Sequence, residues 1–162
     1  MKVAIVSDSH IPSRESELPE PFSERIEAAD HVLHAGDFDS EGAFSNLRAL
    51  AADLTAVHGN MDPTLGLPGV TTVELGGVTF VLTHGTGPPK GWHERLAETV
   101  MEKAGADGVG VAGHTHRVVD TVHEGVRLLN PGSVTGAMPA EAATMFTAEV
   151  DDGDLTVIHH ER

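Results

Sequence analysis

Two aspartates, one asparagine and four histidines fall in five short polar clusters: Asp8-Ser9-His10, Gly36-Asp37, Gly59-Asn60, His84-Gly85 and Gly113-His114-Thr115-His116. Each cluster follows a short apolar run, where a strand would end. Oxygen and nitrogen donors without a thiolate suit Mn, Fe, Zn, Ni or Co, and two such ions can activate water and clamp a phosphoryl group. Asp8 and His10 are two apart, so an extended segment presents both on one face to one ion. Gly36 lets the backbone bend close while the Asp37 carboxylate bridges. Asn60 offers a neutral carbonyl, which limits the ligand charge and keeps the ions electrophilic. His114 and His116 flank a tight turn and can point to neighbouring ions, and His84 adds an imidazole directly after a strand. Each cluster alone reads equally well as a turn or strand end, since Gly-Asp and Asn turns are common. Five of them at five strand ends are a metal site.

The elements that must position these residues follow from periodicity. Lys2 to Ser7, His31 to Ala35, Leu54 to His58 and Gly108 to Ala112 read as short buried strands. Phe22 to Ala29, a segment capped by Ser40 and running to about Ala51, and Trp92 to Ala104 carry helical apolar stripes. Gly76-Gly77 joins Val70–Leu75 to Val78–Thr83 as a hairpin, and Glu124-Gly125 joins Arg117–His123 to Val126–Leu129. Thr144–Val150 and Leu155–His160 form a third pair. Ile11 to Pro21, with three prolines, and Gly85 to Gly91 are surface loops, and Asn130-Pro131-Gly132-Ser133 is a turn beneath the site. An early βαβ rhythm followed by hairpins predicts an α/β fold: a two-sheet β-sandwich flanked by helices, in four α/β/β/α layers, with function at the carboxyl ends of strands. At 162 residues a single domain over 1–162 is expected.

Composition narrows the chemistry further. The absence of cysteine removes disulfides and thiol catalysis. Four apolar residues before Ser7-Asp8 fall far short of a signal peptide or membrane span, so a cytoplasmic protein without membrane association is expected. A formal net charge of -15 repels long nucleic acid and anionic membranes. With only Lys2, Lys90 and Lys103 as lysines, the balance fits a halophilic cytoplasm, where salt screens dense negative charge. An ordinary acidic prokaryotic protein is the alternative.

The series Asp-x-His, Gly-Asp, Gly-Asn-x-Asp, His-Gly and Gly-His-Thr-His resembles the calcineurin-like metallophosphoesterases. The short chain and its Asn-Pro-Gly-Ser turn resemble their small prokaryotic phosphodiesterase branch, related to Vps29. The resemblance implies two divalent ions, with Mn²⁺ foremost and Zn²⁺, Fe²⁺, Ni²⁺ or Co²⁺ as alternatives. One ion would take Asp8, His10, Asp37 and His116; the other would take Asp37, Asn60, His84 and His114. A hydroxide bridging the ions, held by Asp37 with Asn60, His84 and His114 around it, would be the nucleophile. The implied substrate is a small phosphodiester or phosphorylated metabolite. Self-association through the hairpin edges stays open, and a Vps29-like interaction scaffold with weak or no catalysis is the alternative function. One departure stands out: many members carry histidine directly after Gly-Asn, where this chain has Met61. His58 is nearby but reads as structural. Asp62 could orient a neighbouring ligand, with a plain acidic turn residue as the alternative. His34 reads as a packed core histidine, with a supporting role for the ligands as the alternative. His31, His93, His123, His159 and His160 have no motif context and read as surface or structural.

Overall fold

The computed structural model describes all of residues 1–162. In chain order the elements are β1 (Lys2–Val6), α1 (Glu20–Ala28), β2 (His31–His34), α2 (Glu41–Leu50), β3 (Leu54–Ala56), β4 (Val70–Leu75), β5 (Val78–Thr83), α3 (Trp92–Lys103), β6 (Val109–Val111), β7 (Val118–His123), β8 (Val126–Pro131), β9 (Thr144–Asp151) and β10 (Asp154–Glu161). Two five-stranded sheets result, ordered β10-β9-β1-β2-β3 and β4-β5-β6-β8-β7. In the first, parallel β1, β2 and β3 run out to one edge and the β9–β10 hairpin adds antiparallel strands on the other. In the second, parallel β5, β6 and β8 form the centre, flanked by antiparallel β4 and β7.

Three apolar clusters hold the layers together. Val3, Ile5, Leu33, Phe80, Leu82, Val111, Leu129 and Phe146 meet between the sheets. The opposite faces of β1 and β2, through Ala4, Val6 and Val32, pack on Phe22 and Ile26 of α1 and Leu47 of α2. Trp92, Leu96 and Val100 of α3 cover Val81, Val126 and Leu128 on the second sheet. The period-two alternation along each strand thus feeds two different cores, giving the expected four-layer α/β/β/α sandwich. No helix is long and apolar enough to cross a membrane.

Most element boundaries agree with the pattern reading to within two residues, and Ser40 caps α2 through Oγ, which accepts the Ala43 N–H at 3.1 Å. One turn differs. Asn130 and Pro131 do not break the chain but continue β8, with Pro131 paired to Val118 of β7, and the bend begins at Gly132. Pro131 is tolerated because it is the last residue of its strand, where a missing N–H costs the ladder least.

Candidate metal centre

The strand ends of both sheets converge on one spot. Asp8 and His10 leave β1, Asp37 leaves β2, Asn60 follows β3, His84 follows β5, and His114 and His116 follow β6. Backbone bonds tie the loops together: Asp8 N–H donates to Gly36 O at 3.0 Å, His10 N–H to Asp37 O at 3.1 Å, and Gly113 N–H to His84 O at 3.0 Å. Of the eight non-glycine residues with positive φ, six lie here: Asp8, His10, Asp37, Asp39, His114 and His116. Aspartate and histidine tolerate this left-handed region better than branched residues, and such clustering is a mark of functional loops. Gly113 and Gly59 are needed for a different reason, close approach. A Cβ on Gly113 would land on the Ser7 hydroxyl and Asp8 carboxylate, and one on Gly59 would land on Asp37.

All seven residues singled out from sequence are brought together. His10 Nε2 lies 3.6 Å from Asp8 Oδ1, 3.5 Å from Asp37 Oδ2 and 3.1 Å from His116 Nε2. His84 Nε2 lies 3.1 Å from Asp37 Oδ2 and 3.8 Å from Asp8 Oδ1, and His116 Nε2 lies 3.3 Å from Asp8 Oδ1. His114 enters with its other nitrogen: Nδ1 is 3.3 Å from His84 Nε2 and 3.1 Å from Asn60 Oδ1. Asp8, His10, Asp37, His84 and His116 are buried, His114 is partly buried and Asn60 is exposed, so the centre opens on the Asn60–His114 side.

The outward-facing atoms decide what the inward ones can do. His10 Nδ1 faces Asp39 Oδ2 at 2.9 Å, His84 Nδ1 faces Ala35 O at 2.7 Å, and His116 Nδ1 faces Ala137 O at 2.8 Å. Each of these oxygens requires an N–H, which assigns the proton to Nδ1 and leaves Nε2 free to ligate. The carboxylates are divided in the same way. Asp8 Oδ2 accepts from Ser7 Oγ and His114 N–H, while Oδ1 is buried without a donor and faces the imidazoles. Asp37 Oδ1 accepts Met61 N–H at 2.8 Å, leaving Oδ2 towards His84 and His10. One unpartnered carboxylate oxygen, a second facing His84 and His10, and the converging imidazole nitrogens make a donor set suited to a cation. The two clusters Asp8–His10–His116 and Asp8–Asp37–His84 could each hold an ion.

Protonation equilibria follow the same field. Burial opposes charge on Asp8 and Asp37, yet the surrounding imidazoles hold both carboxyls below the usual range. Burial likewise disfavours cationic His84, but its hydrogen bond to Asp37 and the charges of Asp8 and Asp37 raise it to about 9. His10 is raised against burial by Asp8 and Asp39. Left to protons alone, the carboxylate pair recruits positive charge, and a metal ion would displace those protons. More exposed His114 is lowered, first by desolvation and then by repulsion from His84.

Supporting residues hold this geometry. Asp62 accepts four backbone N–H groups: those of Asp37 (3.0 Å) and Gly59 (2.8 Å) at Oδ2, and those of Phe38 (2.7 Å) and Asp39 (2.9 Å) at Oδ1. It clamps the Gly-Asp turn to the Gly-Asn turn. Although Asp37, Asp39 and Asp62 group closely, Asp62 is saturated by these donors and the trio is not a third cation site. Asn130 Nδ2 donates to Gly113 O and Thr115 Oγ1, and Ser133 Oγ donates to Asp8 O at 2.7 Å, supporting the centre from below. Met61 is 48% exposed beside the centre. His58 donates its backbone N–H to Pro68 O at 2.8 Å.

His34 is fully buried and stacks on Phe38 with ring centroids 3.7 Å apart. Its Nδ1 accepts Gly36 N–H at 3.0 Å, so Nε2 carries the proton and donates to Ser9 Oγ at 2.8 Å. It therefore braces both ligand loops as a neutral ring, and burial lowers its pKa to about 3 from 6.5. Because the folded value lies below the ordinary one, its stabilising contribution is full above pH 6.5 and drains as pH falls towards 3. Each pH unit in that window costs about 1.4 kcal/mol. Nitrogen-detected NMR should find His34 protonated on Nε2 alone and unchanged from pH 8 to 5; titration near its ordinary value would refute the assignment.

Residues 1–153 match the calcineurin-like phosphoesterase superfamily domain. The chain belongs to this superfamily. A relative from Methanothermobacter thermautotrophicus, named a probable metallophosphoesterase, is 37% identical over 137 residues, covering 83% of this chain and 78% of that protein. Wild-type Vps29 from Entamoeba histolytica, solved in complex with zinc, superposes with a TM-score of 0.81 at 26% identity, covering 99% of each chain. A novel archaeal phosphodiesterase shares the fold, with a TM-score of 0.73 at 22% identity over 99% of this chain and all of that one. Sequence reasoning missed Asp39, the carbonyls of Ala35 and Ala137, and Ser7. Only Asp39 left a signal, a carboxylate two residues beyond Asp37.

Proposed function

We propose that this calcineurin-like protein is a metal-dependent phosphodiesterase with a dinuclear centre. One ion would be held by Asp8, His10, Asp37 and His116, and the other by Asp37, Asn60, His84 and His114. The observation that carries this reading is the set of imidazoles at His10, His84 and His116. Each is locked from outside so that Nε2 meets the free oxygens of Asp8 and Asp37. Two divalent ions so held supply water activation and charge neutralisation on the phosphoryl oxygens. The relative named a probable metallophosphoesterase and the Vps29 solved in complex with zinc support a metal-binding reading, and Mn²⁺ is the first ion to try.

The chain's own residues then set access and leaving-group chemistry. Substrate enters over Asn60, Met61 and His114, the exposed rim. A cleft of about 570 Å³, lined by His114 to Val118 and Pro139 to Ala142, adjoins the centre and has room for the alcohol portion of a small diester. The net charge of -15 disfavours long polyanions. Met61 cannot donate a proton, so this position supplies none of the general-acid contribution of order 10²–10⁴ that a histidine there would give. Phosphodiesters with nitrophenyl leaving groups should therefore turn over much faster than alkyl diesters, and equal kcat/KM for the two would contradict this. The direct test is purified protein with Mn²⁺ and bis-p-nitrophenyl phosphate. Steady turnover is expected; none with Mn²⁺, Zn²⁺, Fe²⁺, Ni²⁺ or Co²⁺, despite bound ions, would favour the interaction scaffold.

A further inference from the structure

The three inward-pointing Nε2 imidazoles are not backed alike. His84 leans on the Ala35 carbonyl and His116 on the Ala137 carbonyl, whereas His10 leans on a carboxylate, Oδ2 of Asp39. The Asp39 side chain is 5% exposed and that of His10 is 1% exposed. Ser13 Oγ donates to the same Asp39 oxygen, and the other oxygen, Oδ1, is buried without a partner. A carboxylate kept in so dry a place is costly unless its charge is used. Asp39 lies behind the His10 ring, on the Nδ1 side, while Nε2 faces Asp8, Asp37 and His116. It is therefore no ligand itself. A carboxylate behind an imidazole fixes the tautomer and ring plane and strengthens the inward nitrogen as a donor more than a neutral carbonyl does.

We infer that Asp39 is the positioning residue of His10 and makes the Asp8–His10–His116 cluster the tighter of the two cation sites. The contacts around it explain how it is held. Its N–H is fixed by Asp62 at 2.9 Å, and neighbouring Ser40 Oγ donates to Ile11 O at 2.8 Å, closing the loop that carries Ser13 over it. From the other side, Arg14 Nη1 donates to Met138 O at 2.7 Å, next to the Ala137 carbonyl that backs His116. One loop thus spans the outer supports of both histidines in this cluster.

This assignment rests on the two-ion reading, and its test separates the two. Mn²⁺ and Zn²⁺ binding to metal-stripped protein would be followed by titration calorimetry. The wild type is expected to take two ions with distinct affinities. Asp39→Asn keeps the shape but removes the charge, and should weaken the tighter class by about 10–100-fold while leaving the other unchanged. Ser13→Ala removes only the second contact on Asp39 and should leave both affinities as they were. Two ions per wild-type chain with unaltered binding in Asp39→Asn would overturn the assignment alone. Equal loss at both sites with a large fall in melting temperature would overturn it as well, since Asp39 would then merely support the fold. A wild type that takes up no cation would overturn the proposed function and this assignment together.

Discussion

Replacing Asp37 with asparagine is expected to cut phosphodiester turnover by about a thousandfold or more, because several kcal/mol of metal-derived stabilisation is lost at 1.36 kcal/mol per factor of ten. Asp37 Oδ2 faces both His84 at 3.1 Å and His10 at 3.5 Å, so it is the carboxylate placed to join the two clusters. An amide retains the volume and can still accept Met61 N–H, the bond now made by Oδ1. It does not retain the negative charge that balances a second ion. The variant should fold, bind fewer than two ions per chain and show its defect mainly in kcat. Metal content by elemental analysis beside kcat/KM checks this. A folded Asp37→Asn variant that keeps two ions and near-normal turnover would remove Asp37 from the chemistry.

Asp62→Ala is expected to give the largest loss of stability among the residues around the site. Four N–H groups on two different turns lose their common acceptor at once. A hydrogen bond to a charged group contributes about 1.5–3 kcal/mol, but Asp62 is only partly buried and water can replace some of the bonds. A net cost of about 2–4 kcal/mol follows, or roughly 10 °C in Tm for a chain of this size. Turnover should fall too, since Asp37 and Asn60 sit on the released turns. Thermal unfolding measured without metal isolates the structural part. An alanine variant melting with the wild type would mean that the two turns hold their shape unaided.

How much of this was legible depends on where each interaction resides. Gly76-Gly77 between two alternating runs fixes the β4–β5 hairpin to the residue, because turn chemistry and register are both local. Ser40 marks the start of α2 for the same reason. The seven residues that converge were legible as a set because they are polar side chains at strand ends. The order of strands was not, since the insertion of β9 beside β1 is written only in packing between the sheets. Ala35 and Ala137 were invisible as supports because every residue offers a carbonyl and only the fold says which one meets an imidazole. Asp62 was legible as a carboxylate able to orient a neighbouring ligand, but not as the clamp of the Gly-Asp turn, because only the fold brings that turn against it.

The pairing of Lys2 with Glu149 and of Ile5 with Phe146 carries a consequence for biogenesis. β1 cannot acquire one of its two neighbours until the intervening elements up to β9 have been made. Through that interval its amide edge stays open, and Asp8 lacks the Ser133 hydroxyl that later fixes its carbonyl. Contacts of such long sequence separation slow folding and expose nascent chains to misassembly. The cup of candidate ligands is therefore completed only once the β9–β10 hairpin has closed beside β1.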